Sequence, residues 1–321
     1  MNIFKHREAL LALAILASLG LIASRFPAFI QPASLANVIN DSAPLMILVI
    51  GQVIVILTKC IDLSVAANLA LTGMIAALMN GAGVPLPLIL AAVVVIGAAL
   101  GAVNGVLVWK VGIPSIVVTL GTMTIYRGII FLLTDGKWVN AHEMTDGFKA
   151  LPRLAILGLP VMSWVAVVLI AVFALVLTRT ALGRAFYAVG GNPHAAVYAG
   201  LNVGRTQFWA FVISGALAGV TGYLWVARYA VAYVDIAGGF ELDVVAACVI
   251  GGIAIAGGAG TIWGAVLGAL FLGVIKNALP VVDISPFWQM AISGSAIILA
   301  VAFNTAKSRP KGRLILREAT E

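Results

Sequence analysis

Apolar residues run in ten stretches along this chain, roughly 8–27, 42–58, 63–80, 86–109, 113–134, 160–178, 207–230, 242–258, 261–279 and 287–304. A helix needs about 20 residues to cross a hydrocarbon layer roughly 30 Å thick. Backbone in lipid has no water to bond, so each stretch is predicted to be helical. Several stretches are short, and the breaks at 59–62 and 257–261 read either as loops or as kinks inside the membrane. Two polar connections are long, 135–159 and 179–206; the others are short, which predicts neighbouring helices packed side by side. Glycines concentrate within the stretches, as in GAALGAVNG (97–105) and GGIAIAGGAG (251–260). Small residues let helix backbones approach closely, the main packing device in lipid. Gly215, Gly219 and Gly222 place such residues on nearby faces of one helix.

Composition turns this pattern into a fold class. Of 321 residues, 62% are apolar and 10% charged, whereas soluble domains run about 45–50% apolar and about 25% charged. The expected fold is an all-α polytopic membrane protein of about ten transmembrane helices, one transmembrane domain over 1–321. The start, with Lys5 and Arg7 before Ala9–Ala23, is expected to be a retained first span, because Arg25-Phe26-Pro27 stands where a small-residue cleavage site would follow a signal peptide.

The net charge of +7 does not point to nucleic acid, since the basic residues are not interleaved with aromatics on one face. They sit at the ends of apolar runs and vote on orientation. With the amino terminus in the cytoplasm, Lys5, Arg7, Lys59, Lys110, Arg179, Arg184, Arg205, Lys307, Arg309, Lys311, Arg313 and Arg317 fall inside. Arg25, Arg127, Lys137, Lys149, Arg153, Arg228 and Lys276 fall outside or in outer helix ends. Both termini are therefore expected inside, with 179–206 cytoplasmic and 135–159 periplasmic.

Several chemistries are missing from the sequence. It holds no GxxxxGK[ST] phosphate loop, GxSxG, HExxH or CxxC. Cys60 and Cys248 read as small buried hydrophobes, and His6, His142 and His194 are scattered. No catalytic residue and no metal site is predicted, so the chain is not expected to be an enzyme. Acidic residues deep in the helices, the usual mark of a proton-coupled carrier, are sparse. Asp62 follows one stretch, Asp243 begins another, and Arg127 and Lys276 lie where long side chains can snorkel. The pattern suits a passive pathway driven by an external motor; a self-contained secondary transporter or channel is the alternative.

The loop 179–206 is too long for a turn and reads as an interfacial helix. Asn192 is positioned as its cap and Pro193 as its first residue. Such an element either docks in a partner's groove or is a solvated connector. The stretch GRAFYAVGGNPHAAVYAGLNV within it resembles the coupling segment of inner-membrane permeases of bacterial ABC importers, of the ribose/xylose/galactose type. ILTKCIDLSVAANLALTG (56–73), NGVLVWKVGIPSIVVTLGTMTIYRG (104–128) and IGGIAIAGGAGTIWGAVLGALFLGVIKNAL (250–279) are similar to that family in the same order along nearly the whole chain. One departure is Ala66, where the family usually has glycine.

The resemblance implies a bacterial inner-membrane location, a second permease chain (a copy or a sister), a cytoplasmic ATPase subunit and a periplasmic sugar-binding protein. ATP and Mg would sit on the ATPase, with no cofactor bound by this chain. Carried over as ATPase-coupling residues are Gly183, Arg184, Gly190, Gly191, Asn192, Pro193, Ala195, Ala196 and Gly200. Arg184 and Asn192 are expected to hold the ends of the segment.

Asp62 and Ser64 read either as a cap at a bend or, with Asn68, as acceptors for sugar hydroxyls on a broken helix. Gln52, Asn104, Thr119, Thr122 and Thr124 read either as path-lining groups or as interhelical hydrogen bonders. Trp225, Tyr229 and Tyr233 flank an outer helix end, as a stacking surface for a sugar ring or as interfacial anchors. The cargo implied is a monosaccharide. CIDLSVAANLALTG, TDGKWVNAHEM and RYAVAYVDIAGGFELDVVAACVIGG look most like permeases associated with L-rhamnose uptake. Nucleosides and branched-chain amino acids are the rival cargoes.

Overall fold

The computed structural model describes residues 2–282 together with positions 288, 291, 294 and 295. Its helices are α1 (Asn2–Arg25), α2 (Pro32–Leu57), α3 (Val65–Gly81), α4 (Leu86–Val106), α5 (Ser115–Thr134), α6 (Asp146–Ala150), α7 (Val161–Arg179), α8 (Ala181–Gly191), α9 (Pro193–Tyr198), α10 (Val203–Tyr229), α11 (Phe240–Ile250) and α12 (Ile262–Val281). Among the described residues seven helices are long and apolar enough to cross a membrane: α1, α2, α4 with the π-turn that extends it to Val111, α5, α7, α10 and α12. The apolar stretch at 63–80 forms the 17-residue α3. The stretch at 242–258 forms only the 11-residue α11, and the glycine-rich chain after it leaves the helix. At about 1.5 Å per residue, α11 covers roughly half of a hydrocarbon layer. The stretch at 287–304 and the basic tail lie outside the described residues.

Helices α2 and α10 form the centre, and α1, α5 and α7 ring it with long exposed apolar faces such as Leu13, Leu132 and Leu175. Glycines make the tightest seam, where α4 and α10 run antiparallel. A Cβ on Gly97 would stand 2.4 Å from Gly215 O, and one on Gly101 would stand 2.2 Å from Phe211 O. A Cβ on Gly219 would stand 2.0 Å from Val93 O. The expectation for Gly215, Gly219 and Gly222 is met, with Gly222 turned to α3 against Leu69 O and Gly73. Backbones in contact exchange dispersion energy over their whole length, which replaces the hydrophobic drive missing in lipid.

The connections sort to two ends. One end carries the chain after α2, the α4–α5 turn, α8, α9 and the glycine-rich loop 251–261. The other carries the segment 135–159, which is folded rather than loose. Its α6 is capped by Thr145, and Thr145 also exchanges two hydrogen bonds with Asn80 (2.8 and 3.0 Å). Phe148 is buried edge-on against Tyr223, whose hydroxyl donates to Phe148 O (3.1 Å).

Candidate functional site

The break after α2 lies within the bundle. Leu57 ends the helix, Lys59 takes a left-handed backbone (φ +65°), and the chain climbs back to Asp62 beside residues 51–52 of α2. Asp62 lies level with Ser214, eleven residues into α10, or about 16 Å along a helix about 40 Å long. Irregular backbone at this depth needs its polar groups paired, and most of those between Thr58 and Asp62 are. The N–H groups of Thr58, Lys59 and Cys60 return to the last turn of α2. Gln207 Nε2 donates to Thr58 O (3.2 Å). Ile61 N–H donates to Ser115 Oγ (3.2 Å), and Ile61 O accepts from Thr119 Oγ1 (3.3 Å). The Gln52 amide, oriented to satisfy its neighbours, donates to Asp62 O (3.0 Å) and accepts from Asp62 N–H (3.3 Å).

The Asp62 carboxylate, 2% exposed, is the knot of this network. Oδ1 accepts from the Ser64 N–H (3.0 Å) and hydroxyl (2.7 Å), and Oδ2 accepts from Ser214 Oγ (3.2 Å). Asn104 Nδ2 donates to Ser64 Oγ (2.8 Å). Thus α10 and the start of α3 meet at the carboxylate, α4 joins through Ser64, and α2 joins through the Asp62 backbone. Asn68 stands one turn further along α3, its Nδ2 on Gly97 O (3.1 Å). Thr122 bonds only along its own helix among the hydrogen bonds seen. The structure therefore brings Gln52, Asp62, Ser64, Asn104 and Thr119 together, with Asn68 beside them and Thr122 apart. All seven are buried within one chain. Asn68 Oδ1 and Asn104 Oδ1 have no partner among the described residues.

The loop 179–206 is two short helices. Thr180 Oγ1 caps α8 through Gly183 N–H (3.1 Å), Asn192 Oδ1 caps α9 through Ala195 N–H (3.1 Å), and Asn202 Oδ1 caps α10 through Arg205 N–H (2.8 Å). Arg184 reaches back to Arg179 O at 3.4 Å from an exposed position. The nine residues singled out from the sequence divide by face. Gly183, Gly190 and Ala196 are buried against the bundle, whereas Arg184, Gly191, Asn192, Ala195 and Gly200 are exposed and Pro193 is half-buried. Gly183 abuts Leu177 Cα, and Gly190 abuts Leu57 O and Gly258 N. Tyr187 donates to Gly260 O (3.0 Å), and burial pushes its phenol up from the ordinary tyrosine value. Gly258, at φ +71°, donates its N–H to Leu57 O (3.0 Å). The glycine-rich loop, the end of α2 and α8 are thus one joint.

Sequence reasoning missed two features here. Val197 and Tyr198 are 59% and 93% exposed and form an apolar tip on α9; the signal was an aromatic in a short capped helix. Arg127 and Lys276, expected to snorkel, are instead paired, Lys276 with Asp243 and Arg127 with Asp235 at 3.7 Å, and Arg228 is paired with Asp41. Periodicity does not report partners across helices. Cys60 and Cys248 are free and buried, as expected. Among the described residues no cluster could hold a metal ion.

Comparison with known proteins agrees with this architecture. Residues 34–301 match the family described as branched-chain amino acid transport system / permease component. The chain is 35% identical over 298 residues to the ribose import permease protein RbsC of Haemophilus influenzae, covering 92% of each chain. It is 36% identical over 304 residues to RbsC of Escherichia coli, covering 94% of each. It is 37% identical over 299 residues to the autoinducer 2 import system permease protein LsrC of an Enterobacter species, covering 92% of this chain and 86% of that one. No solved structure matches. The chain belongs to the branched-chain amino acid transport system / permease component family, as a multi-pass inner-membrane permease subunit of a sugar ABC importer.

Proposed function

We propose that this chain is one of two permease protomers in an ATP-driven importer of a monosaccharide. The observation that carries the reading is the build of residues 179–206. Two capped helices present Val197 and Tyr198 outward, and their inner face is locked through Gly190 to Leu57 and Gly258. A separate ATPase, holding ATP and Mg, grips that tip from the cytoplasm. Its closure moves α8 as a rigid lever, and the joint at Leu57 carries the motion to the break at 58–64 and to α3. Rigid-body displacement of packed elements is the common way such motion travels.

In this reading both termini and 179–206 face the cytoplasm, 135–159 faces the periplasm, and a periplasmic binding protein delivers the sugar there. The second protomer is a copy or a sister chain. The buried residues Gln52, Asp62, Ser64, Asn68, Asn104, Thr119 and Thr122 frame the moving helices beside the path. L-rhamnose is the first cargo to test, from the resemblance of CIDLSVAANLALTG, TDGKWVNAHEM and 228–252 to rhamnose permeases. Ribose and autoinducer 2, named in the relatives, come next.

The test is reconstitution in proteoliposomes with and without a cognate ATPase subunit and sugar-binding protein. Sugar uptake that requires ATP and both partners supports the proposal. Uptake by this chain alone overturns it in favour of a self-contained carrier.

A further inference from the structure

At the end of the bundle opposite α8 and α9, helices α2, α10, α11 and α12 and the segment 230–239 line a half-open cavity of about 640 Å³, within the roughly 300–1,000 Å³ range of small-molecule sites. We propose that this cavity is a binding site for a neutral polyhydroxylated ligand, with Trp225 as its stacking surface and Asp41, Asp243 and Asn277 as its polar groups. The inference deepens the sugar-permease reading above and takes the class of its cargo from it.

Three observations converge. First, the aromatic wall is held in place by its own packing. The Trp225 ring meets Tyr229 at 5.2 Å and Phe240 edge-on at 5.1 Å, and Tyr233 is stacked on Trp138 at 4.7 Å. Rigid aromatic faces are electron-rich and receive the C–H face of a sugar ring. The rings that the sequence left open as stacking surface or membrane anchors thus share one cavity.

Second, the charges in the wall are balanced. Asp41 is paired with Arg228, Asp243 with Lys276, and Asp235 with Arg127. A carboxylate paired on one side still offers lone pairs to a hydroxyl. A neutral polyol bonds to these pairs intact, whereas the carboxylate of a zwitterionic amino acid would face three lining carboxylates, Asp41, Asp235 and Asp243. Third, Asn277 spends one amide hydrogen on Gly273 O (2.9 Å), which leaves the remainder of a group that both donates and accepts. Aromatic faces beside two paired carboxylates that accept and one amide that both donates and accepts suit a sugar.

Two measurements test this. In the full-length chain, Leu242→Cys puts a thiol in the lining of the cavity without removing a proposed binding group, while Cys60 and Cys248 are buried. Its modification by a small charged thiol reagent, in nanodiscs, is expected to slow at least about threefold with L-rhamnose or D-ribose and not with L-leucine. Equal rates with and without sugar, or protection by leucine, overturn the site even if the chain proves to be a sugar permease.

In the reconstituted transporter, Trp225→Ala is expected to lower sugar uptake about tenfold or more while ATP hydrolysis stimulated by the binding protein stays within about twofold. Trp225→Phe is expected to retain most uptake. Undiminished uptake in Trp225→Ala at equal protein level overturns the site, as does a parallel loss of uptake and hydrolysis that Trp225→Phe does not rescue. If the unaltered transporter imports no sugar yet the thiol is protected by sugar, the import reading falls and the site stands.

Discussion

Gly190 of α8 lies directly on the carbonyl oxygen of Leu57, the last residue of α2: a Cβ at position 190 would stand 1.7 Å from that oxygen. No side chain fits there without parting the two elements, because real Cβ contacts do not approach so closely. Gly190→Ala is therefore expected to separate α8 from α2 and displace Gly258 N–H from the same oxygen. The measurement is ATP hydrolysis by the assembled transporter with and without sugar-loaded binding protein. The expected outcome is a normal amount of membrane-inserted chain and at least about a tenfold loss of stimulation. Full stimulation would show that the lever does not run through this contact.

Tyr198 tests the other face of the same element. At 93% exposed, it contributes little to the fold, and substitutions at such positions usually change stability by under about 0.5 kcal/mol. Exposed aromatics are frequent anchors at interfaces. Tyr198→Ala, or the double change with Val197→Ser, is expected to leave thermal stability of the isolated chain unchanged and to weaken co-purification of the ATPase. Unchanged co-purification would rule out the tip as the contact.

Asp62 separates a structural role from a path-lining one. Three hydrogen bonds converge on its buried carboxylate, and leaving the donors unpaired costs about 1–3 kcal/mol each. Asp62→Ala is expected to lower the midpoint of unfolding in detergent by several degrees. Asp62→Asn keeps the shape: its amide oxygen still accepts from the Ser64 N–H and hydroxyl, and its Nδ2 donates to a Ser214 hydroxyl turned to accept, so folded protein and uptake per transporter are expected near the unaltered level. A large loss of uptake in a normally stable Asp62→Asn chain would give the carboxylate a role toward sugar.

The α4–α10 seam supplies a matched pair. Gly101→Ala drives a methyl group against Phe211 O at 2.2 Å, whereas Gly121→Ala on α5 meets nothing within 4 Å. The first is expected to reduce the yield of folded chain severalfold. The second is expected to be neutral or slightly stabilising, since alanine is about 1 kcal/mol better than glycine in a helix. Fluorescence-detected size exclusion of tagged full-length chain reads both.

Hydropathy alone located α1, α4, α5, α7, α10 and α12 to within a few residues, because a bilayer imposes length and helicity on any apolar run. Asn192 and Pro193 were legible as the start of α9 for a similarly local reason, a cap satisfying the first amide groups of a helix. The second half of the 242–258 stretch was not, since its glycines take left-handed backbone at Gly252, Gly257 and Gly258, and the last two meet Leu57 and Gly190 across the bundle. Composition there is as apolar as in a span. Nor could the small polar residues be sorted, because a hydroxyl facing a path and one facing a helix look alike along the chain.

What the sequence determined by itself is the solvent this protein folds in, the helices that solvent demands, and the capped segment between α7 and α10. These follow from local rules of burial, periodicity and backbone satisfaction. The tertiary structure decided which polar groups meet. It took Gln52, Asn104 and Ser214 from three helices and closed them, with Ser64, around Asp62 in the break between α2 and α3. It also set Gly190 on Leu57 and gave Arg228 and Lys276 their acidic partners. Hydrogen bonds and ion pairs act only within a few ångströms, so their meeting depends on how the helices pack in three dimensions, which no pattern along one of them records.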